Sequence, residues 1–338
     1  MSNIAFIVTK SEIGGAQTWT NDMMNLVRKG NNVHLITSEK GWLTDQNNYD
    51  FCFIFPQLKN KFSLFGYLKL LKYLKKNKIE IMVASSANAG IFSRMCKLFH
   101  RFKCIYVSHG WSCVYNGGVL KPIFIKVEKY LSYLTDIIWC VSYSDEKNAI
   151  EKIGIKSEKI KTVHNSVSGI PKKLHLEKNK KVIFVGRLTH PKRPELLAQV
   201  ISKHPDIYLD VAGGGEYLEK LKEDFKNYNN ITFLGEICSF NEYLNYDIFS
   251  LISDSEGLPM SALEAHNAGI PLLMSDVGGC RELVDGNGLL VTNTEKDIEE
   301  KLLKIINEYD SYFFQAQAEK EKFEFRNYIE QYKEIILS

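Results

Sequence analysis

A series of short apolar runs, separated by stretches with helical spacing, constrains the fold of this chain more than any other feature. In the first half they lie at residues 4–8, 33–37, 81–84, 104–108 and 137–141. In the second half they lie at 182–186, 209–212, 231–235, 248–252 and 271–274. Runs of this length that are apolar throughout read as strands buried on both faces. Their alternation with helices marks parallel sheets covered by helices, an α/β architecture. At 338 residues the chain is too long for one ordinary core and predicts two domains of about 150 residues each.

Composition narrows the class. The seven cysteines are odd in number and form no C-x-x-C pair, so neither a disulfide framework nor a structural zinc site is expected. A reducing cytosol is the natural compartment. The opening Met1-Ser2-Asn3 lacks the basic start of a signal peptide, and no apolar run reaches the length of a membrane span. The net charge of +3 conceals an asymmetry: residues 1–165 hold 23 Lys+Arg against 12 Asp+Glu, and the remainder is acidic. The basic half therefore suits an anionic partner.

Residues 256–264, Glu-Gly-Leu-Pro-Met-Ser-Ala-Leu-Glu, follow one apolar run and enter a helix. Pro259 is expected in the first helical turn, and Gly257 lets a ligand approach the backbone. The amides of that turn have no intrahelical partners and can receive an anion, which makes Leu258, Pro259 and Met260 candidate donor-binding residues. Glu256 stands at its mouth, and Glu264 follows about two turns later. Two carboxylates around an anion site suit a ligand with phosphates and hydroxyls, such as a nucleotide sugar. The plainer reading is a pair of glutamates complementing a helix dipole.

Other strand ends carry chemistry of the same kind. Arg187 and Lys192 follow the run at 182–186, and two cations there can grip a pyrophosphate. Gly14 and Gly15 lie between the first run and a helix expected near Gln17; this is not the G-x-G-x-x-G fingerprint of dinucleotide enzymes. His109 follows the run at 104–108, where open parallel sheets place ligand sites. Each of these also fits an ordinary surface loop or a structural side chain.

Glu256, seven residues, then Glu264, with Gly-Leu-Pro after the first Glu, resembles the signature of the retaining glycosyltransferases of family 4. Gly186-Arg187-Leu188 followed by Lys192 matches that family's phosphate-binding pair in type and spacing. Gly14-Gly15, His109-Gly110, the glycine-rich 275–279 and the segment 163–167 resemble further family features, with Ser166 in place of the usual Gly. The resemblance spans the chain and implies the GT-B fold: two Rossmann-like, doubly wound parallel-sheet domains facing each other across a cleft. The acceptor-side domain would cover 1–168, completed by a C-terminal helix at 323–338. The nucleotide-sugar-binding domain would cover 169–322.

The resemblance also implies roles. Arg187 and Lys192 would stabilise the departing diphosphate, Glu256 would position sugar hydroxyls, and Glu264 would hold the ribose. His109 would contact the transferred sugar, Ile237 the base, and Gly14 and Gly15 the donor pyrophosphate and acceptor. The donor phosphate would take the acceptor proton in a front-face mechanism with no metal cofactor. The co-substrate is expected to be a nucleoside-diphosphate sugar, with UDP as the nucleotide, and the acceptor a glycan or lipid-linked intermediate of a surface polysaccharide or lipopolysaccharide. No nucleic-acid partner is expected. A phosphorylase or nucleotide-sugar epimerase on the same fold, or a regulator without catalysis, remains open.

Residues 59–78 hold seven lysines at helical spacing. Leu64, Tyr67, Leu70, Leu71 and Leu74 fall on one side, as a core-facing stripe. Lys61, Lys69, Lys72, Lys75 and Lys76 fall opposite, with Phe65 and Leu68 among them. That mixture predicts contact with an anionic membrane surface and a peripheral place at the inner face of the cytoplasmic membrane. Arg94, Lys97, Arg101 and Lys103 make a second basic cluster in sequence.

Overall fold

Each apolar run forms a strand, displaced by at most one residue at either end, and every pairing between named strands is parallel. The computed structural model describes residues 1–59, 63–115 and 118–338, apart from the side chain of residue 119. It comprises one unit of Met1–His164 with Tyr328–Ser338 and a second of Asn165–Asn327.

The strands of the first unit are β1 (Asn3–Ile7), β2 (Asn32–Thr37), β3 (Phe51–Ile54), β4 (Ile81–Ala84), β5 (Lys103–Ser108), β6 (Ile137–Cys140) and β7 (Ile160–Thr162). Its helices are α1 (Gly15–Arg28), α2 (Trp42–Asp45), α3 (Leu64–Lys76), α4 (Ala87–Cys96), α5 (Ser112–Tyr115), α6 (Lys121–Ser132) and α7 (Tyr143–Asn148). The second unit has β8 (Lys181–Val185), β9 (Tyr208–Ala212), β10 (Ile231–Gly235), β11 (Ile248–Leu251), β12 (Leu272–Ser275) and β13 (Gly288–Val291). Between them run α8 (Pro194–Ile201), α9 (Leu218–Asp224) and α10 (Met260–Ala268), followed by α11 (Glu295–Asn307) and α12 (Tyr309–Glu319). The closing α13 (Ile329–Leu337) belongs to the first unit.

The sheet orders are β3-β2-β1-β4-β5-β6-β7 and β10-β9-β8-β11-β12-β13. Three strands lack a counterpart among the apolar runs read from the sequence: β3, β7 and β13. All three are edge strands, so the run at 271–274 is not the last strand. An edge strand is covered on fewer sides and needs no long apolar run. In both sheets the order reverses once, between β1 and β4 and between β8 and β11. Loops at the carboxyl ends of such a switch point form the natural ligand crevice.

Buried side chains from both sheet faces make the cores. Ile7, Ile36, Phe55, Leu70, Leu74, Met82 and Phe92 pack in the first unit. In the second, Phe184, Leu197, Leu209, Phe249, Leu263 and Leu302 are fully buried. Burying each such side chain contributes about 1.5–3 kcal/mol. The outgoing and returning chain run side by side within the second unit: Val167 N donates to Phe323 O at 3.0 Å, and Phe325 N donates to Val167 O at 2.9 Å. In the amphipathic stretch after residue 323 a 3-10 turn at Phe325–Asn327 precedes the α-helix, which begins at Ile329, and Phe323 lies against the His266 ring at 5.1 Å.

Candidate active site

Lys192 and Glu256 form an ion pair in the second unit, with side chains 16% and 10% exposed. The pairing follows from the backbone. Lys192 bridges Ser253 in antiparallel fashion, Arg193 N donates to Ile252 O at 2.9 Å, and Asp254 N donates to Pro191 O at 2.9 Å. These bonds tie the loop after β8 to the loop after β11, the two strands of the switch point. Ser253 N donates to Ser275 Oγ at 2.8 Å, which extends the tie to the end of β12.

Glycines let the loops close on one another. Gly278, at φ +52°, lies so near Glu256 that a Cβ there would sit 1.8 Å from the Glu256 carbonyl oxygen. A Cβ on Gly213 would sit 1.9 Å from the Gly186 carbonyl oxygen. Any side chain at either position displaces the backbone carrying Glu256 or Arg187. Gly279 N donates to Gly257 O at 2.8 Å, and Leu188 N to Gly214 O at 2.8 Å. Ile237 follows β10 and is exposed, as is Arg187 in the loop after β8.

Helix α10 starts at Met260, with no side chain capping its first turn. Pro259 is the cap residue, with φ −70° and extended ψ 126°, and not part of the first turn as the sequence predicts. Its carbonyl accepts from Leu263 N at 3.1 Å, so it opens the helix without an N–H of its own. Leu258 and Met260 are buried, and the Leu258 carbonyl accepts from Asn165 Nδ2 at 3.2 Å. The helix thus offers backbone donors and the positive end of its dipole beside Glu256.

Glu264, on the second turn, accepts a hydrogen bond from the Tyr243 hydroxyl at 2.6 Å. Burial, reinforced by the Glu264 carboxylate, pushes the Tyr243 phenol well above its usual range. Tyr243 therefore stays a donor and fixes the carboxylate. This partner leaves no mark in the sequence pattern, because a tyrosine in an aromatic stretch reads as core. Asp254 turns toward Arg193 at 3.3 Å and Asn293 at 2.8 Å. Asp254 and Glu256 thus have different cationic partners, Arg193 and Lys192. Among the described residues, no group of three or more His, Cys, Asp or Glu is placed to hold a metal ion.

In the first unit, Gly14 is the uncapped N-terminal residue of α1, which begins at Gly15, two residues before the expected start. His109 meets Trp19 of α1 edge-on at 5.2 Å. Its Nε2 is shielded from solvent and has no hydrogen-bond partner among the described residues, and burial pushes the imidazole down to about 4. With that value the ring is neutral near pH 7. Further along α1, burial pushes the Asp22 carboxyl up to about 7.

The basic surface departs from expectation in several places. Phe65 and Leu68 are exposed, and so are Lys69, Lys72 and Lys76, with Lys69 over the Phe53 ring at 5.7 Å. Leu64, expected in the core, is also exposed: it opens α3 beyond the packed turns. Lys61 lies outside the described residues. The second cluster is not a basic patch. Arg94 is fully buried against Glu128 at 2.7 Å, Lys97 pairs with Asp136, and Lys103 donates to Ile335 O at 2.7 Å. No helix among the described residues is long and apolar enough to cross a membrane.

Two family models match the chain, Glycosyltransferase Family 4 over residues 13–168 and Glycosyl transferases group 1 over residues 169–322. The chain is 60% identical over 337 residues to the O-antigen biosynthesis glycosyltransferase WbnH of Escherichia coli, covering 100% of both chains. It is 26% identical over 298 residues to the UDP-Gal:alpha-D-GlcNAc-diphosphoundecaprenol alpha-1,3-galactosyltransferase of Escherichia coli, covering 78% of this chain and 77% of that one. Among solved structures, Anabaena HepE in complex with UDP-glucose superposes with a TM-score of 0.84 at 17% identity, over 99% of both chains. The two parallel sheets, the GT-B likeness and the matched models agree: the chain belongs to glycosyltransferase family 4 and is a glycosyltransferase of the GT-B fold.

Proposed function

We propose that this enzyme transfers a sugar, with retention of anomeric configuration, from a UDP-sugar to a hydroxyl of a lipid-linked O-antigen intermediate. The observation that carries the reading is the Lys192–Glu256 pair at the switch point beside the uncapped start of α10. The WbnH relative and the undecaprenol-linked relative support the acceptor class, and the latter, with the UDP-glucose complex of HepE, supports the donor.

In this reading the donor diphosphate meets the amides at Leu258 and Met260 together with the Arg187 and Lys192 cations. Negative charge grows on that diphosphate as the glycosidic bond breaks, and fixed positive groups there lower the barrier. Glu256 accepts from sugar hydroxyls, Glu264 from the ribose, and the backbone near Ile237 faces the base. Gly14 and Gly15 leave the start of α1 open to the acceptor side, and neutral His109 contacts the transferred sugar. The two cations take the part a divalent ion plays elsewhere, so no metal cofactor is needed. The enzyme works at the inner face of the cytoplasmic membrane, where Phe65, Leu68, Lys69, Lys72 and Lys76 of α3 contact anionic lipid.

The test is transfer from a panel of UDP-, GDP- and ADP-sugars to a short-chain lipid-diphosphate-linked sugar, read by mass spectrometry. One UDP-sugar extending the acceptor by one residue is the expected result. Release of sugar 1-phosphate, epimerised donor, or binding without turnover would select a phosphorylase, an epimerase or a regulator instead.

A further inference from the structure

The first unit carries an exposed apolar strip that the sequence pattern on α3 does not contain. On α6, Ile123, Val127 and Tyr130 recur at helical spacing, and all are exposed. Leu120 and Phe124 flank them, also exposed. A surface helix ordinarily turns such a stripe inward. Here the inward side is held by other groups: Leu131 is buried, and Glu128 is drawn down onto buried Arg94 of α4 at 2.7 Å.

The strip continues across the layer. The crossovers β3-α3-β4, β4-α4-β5 and β5-α6-β6 all step in one direction along the sheet, so right-handed connections place α3, α4 and α6 on one face. Leu98 and Phe99, just past α4, are exposed, and the Phe99 ring meets Tyr67 of α3 at 6.2 Å. Leu64, Phe65 and Leu68 extend the apolar surface along α3.

The charges on these elements have one sign. Glu128 is the only acidic residue in α3, in residues 97–101 or in α6, and it is buried. The exposed charges are Lys69, Lys72, Lys75 and Lys76 on α3, Arg101, and Lys126 and Lys129 on α6. A second copy seated on this strip about a twofold axis would bring lysine against lysine. An anionic bilayer satisfies both parts of the surface, with apolar side chains entering the headgroup boundary and lysines at the phosphates.

We infer that α6, with Leu98, Phe99 and the start of α3, is the element that inserts into the anionic membrane. This rests on the lipid-linked acceptor reading above, and it moves the main anchor from the lysines of α3 to the apolar side chains of α6.

The experiment is flotation of the full chain with vesicles of phosphatidylcholine alone or with about one-third phosphatidylglycerol. It compares wild type with the Ile123→Gln, Val127→Gln, Tyr130→Gln triple variant. Wild type should float with the anionic vesicles only, and the variant should lose about tenfold or more of that partition. Equal flotation of the variant, flotation on neutral vesicles, or no flotation of wild type overturns the inference. A wild-type dimer in sedimentation that the variant dissolves, without vesicle binding, also overturns it and assigns the strip to a second copy. The vesicles contain no acceptor, so transfer to a detergent-soluble acceptor is measured separately on the same preparations. Flotation without transfer would count against the proposed reaction and leave the surface standing.

Discussion

The Lys192 ammonium pairs with the Glu256 carboxylate, although 64 residues separate them in sequence. Backbone bonds between their two loops set the pair, so neither side chain has to search for its position. In the proposed reaction a preorganised ion pair of this kind holds charge ready where the diphosphate departs. It also keeps a nearly buried carboxylate compensated before the donor arrives.

The Tyr243→Phe variant removes one hydroxyl and keeps the ring. A hydrogen bond to a carboxylate contributes about 1.5–3 kcal/mol, so donor affinity should fall by about tenfold or more while turnover at saturation changes little. Steady-state kinetics with varied donor measures this. An unchanged KM would show that Glu264 needs no fixing by Tyr243.

Transfer should persist in EDTA, because in the proposed reaction Arg187 and Lys192 supply the positive charge at the diphosphate. The check is the initial rate before and after exhaustive chelation. Full loss, restored by magnesium or manganese, would assign that charge to a metal.

Asp22 gives a pH signature. Its carboxyl titrates near 3.8 unfolded and is pushed up to about 7 in the fold. Between those values the unfolded chain holds fewer protons, so this group's contribution to stability is lost as pH rises toward 7. His109 acts oppositely: it is pushed down to about 4, and its contribution is lost as pH falls below its usual 6.5. The Asp22→Asn variant isolates the first effect. Its Tm should match wild type near pH 4 and exceed it by about 3 °C or more at pH 8. A Tm difference that does not vary with pH would contradict the burial of a lone carboxyl.

The buried strands were legible because both faces demand apolar residues, and the loops were legible because they follow those strands. Edge strands β3, β7 and β13 pair with a neighbouring strand on one side only, so they need no long apolar run and leave a weaker trace. Glu256, Lys192 and Glu264 were visible as charged residues in a spaced pattern. What the pattern hid was partnership: Tyr243 under Glu264, Asn165 on the Leu258 carbonyl, and Arg94 drawn inward by Glu128. Partnership across long sequence separation leaves no local periodicity, so Arg94 reads as surface charge until the fold places it.

The most direct test of the central claim is a double-mutant cycle on the pair. Lys192→Ala and Glu256→Ala are each measured for kcat with the preferred UDP-sugar, after circular dichroism confirms that the variants fold. Each single variant should lose about 100-fold or more, and the double variant should lose far less than the product of the two. Near-wild-type turnover in either folded single variant, or fully multiplicative losses, would contradict a catalytic centre built on this pair.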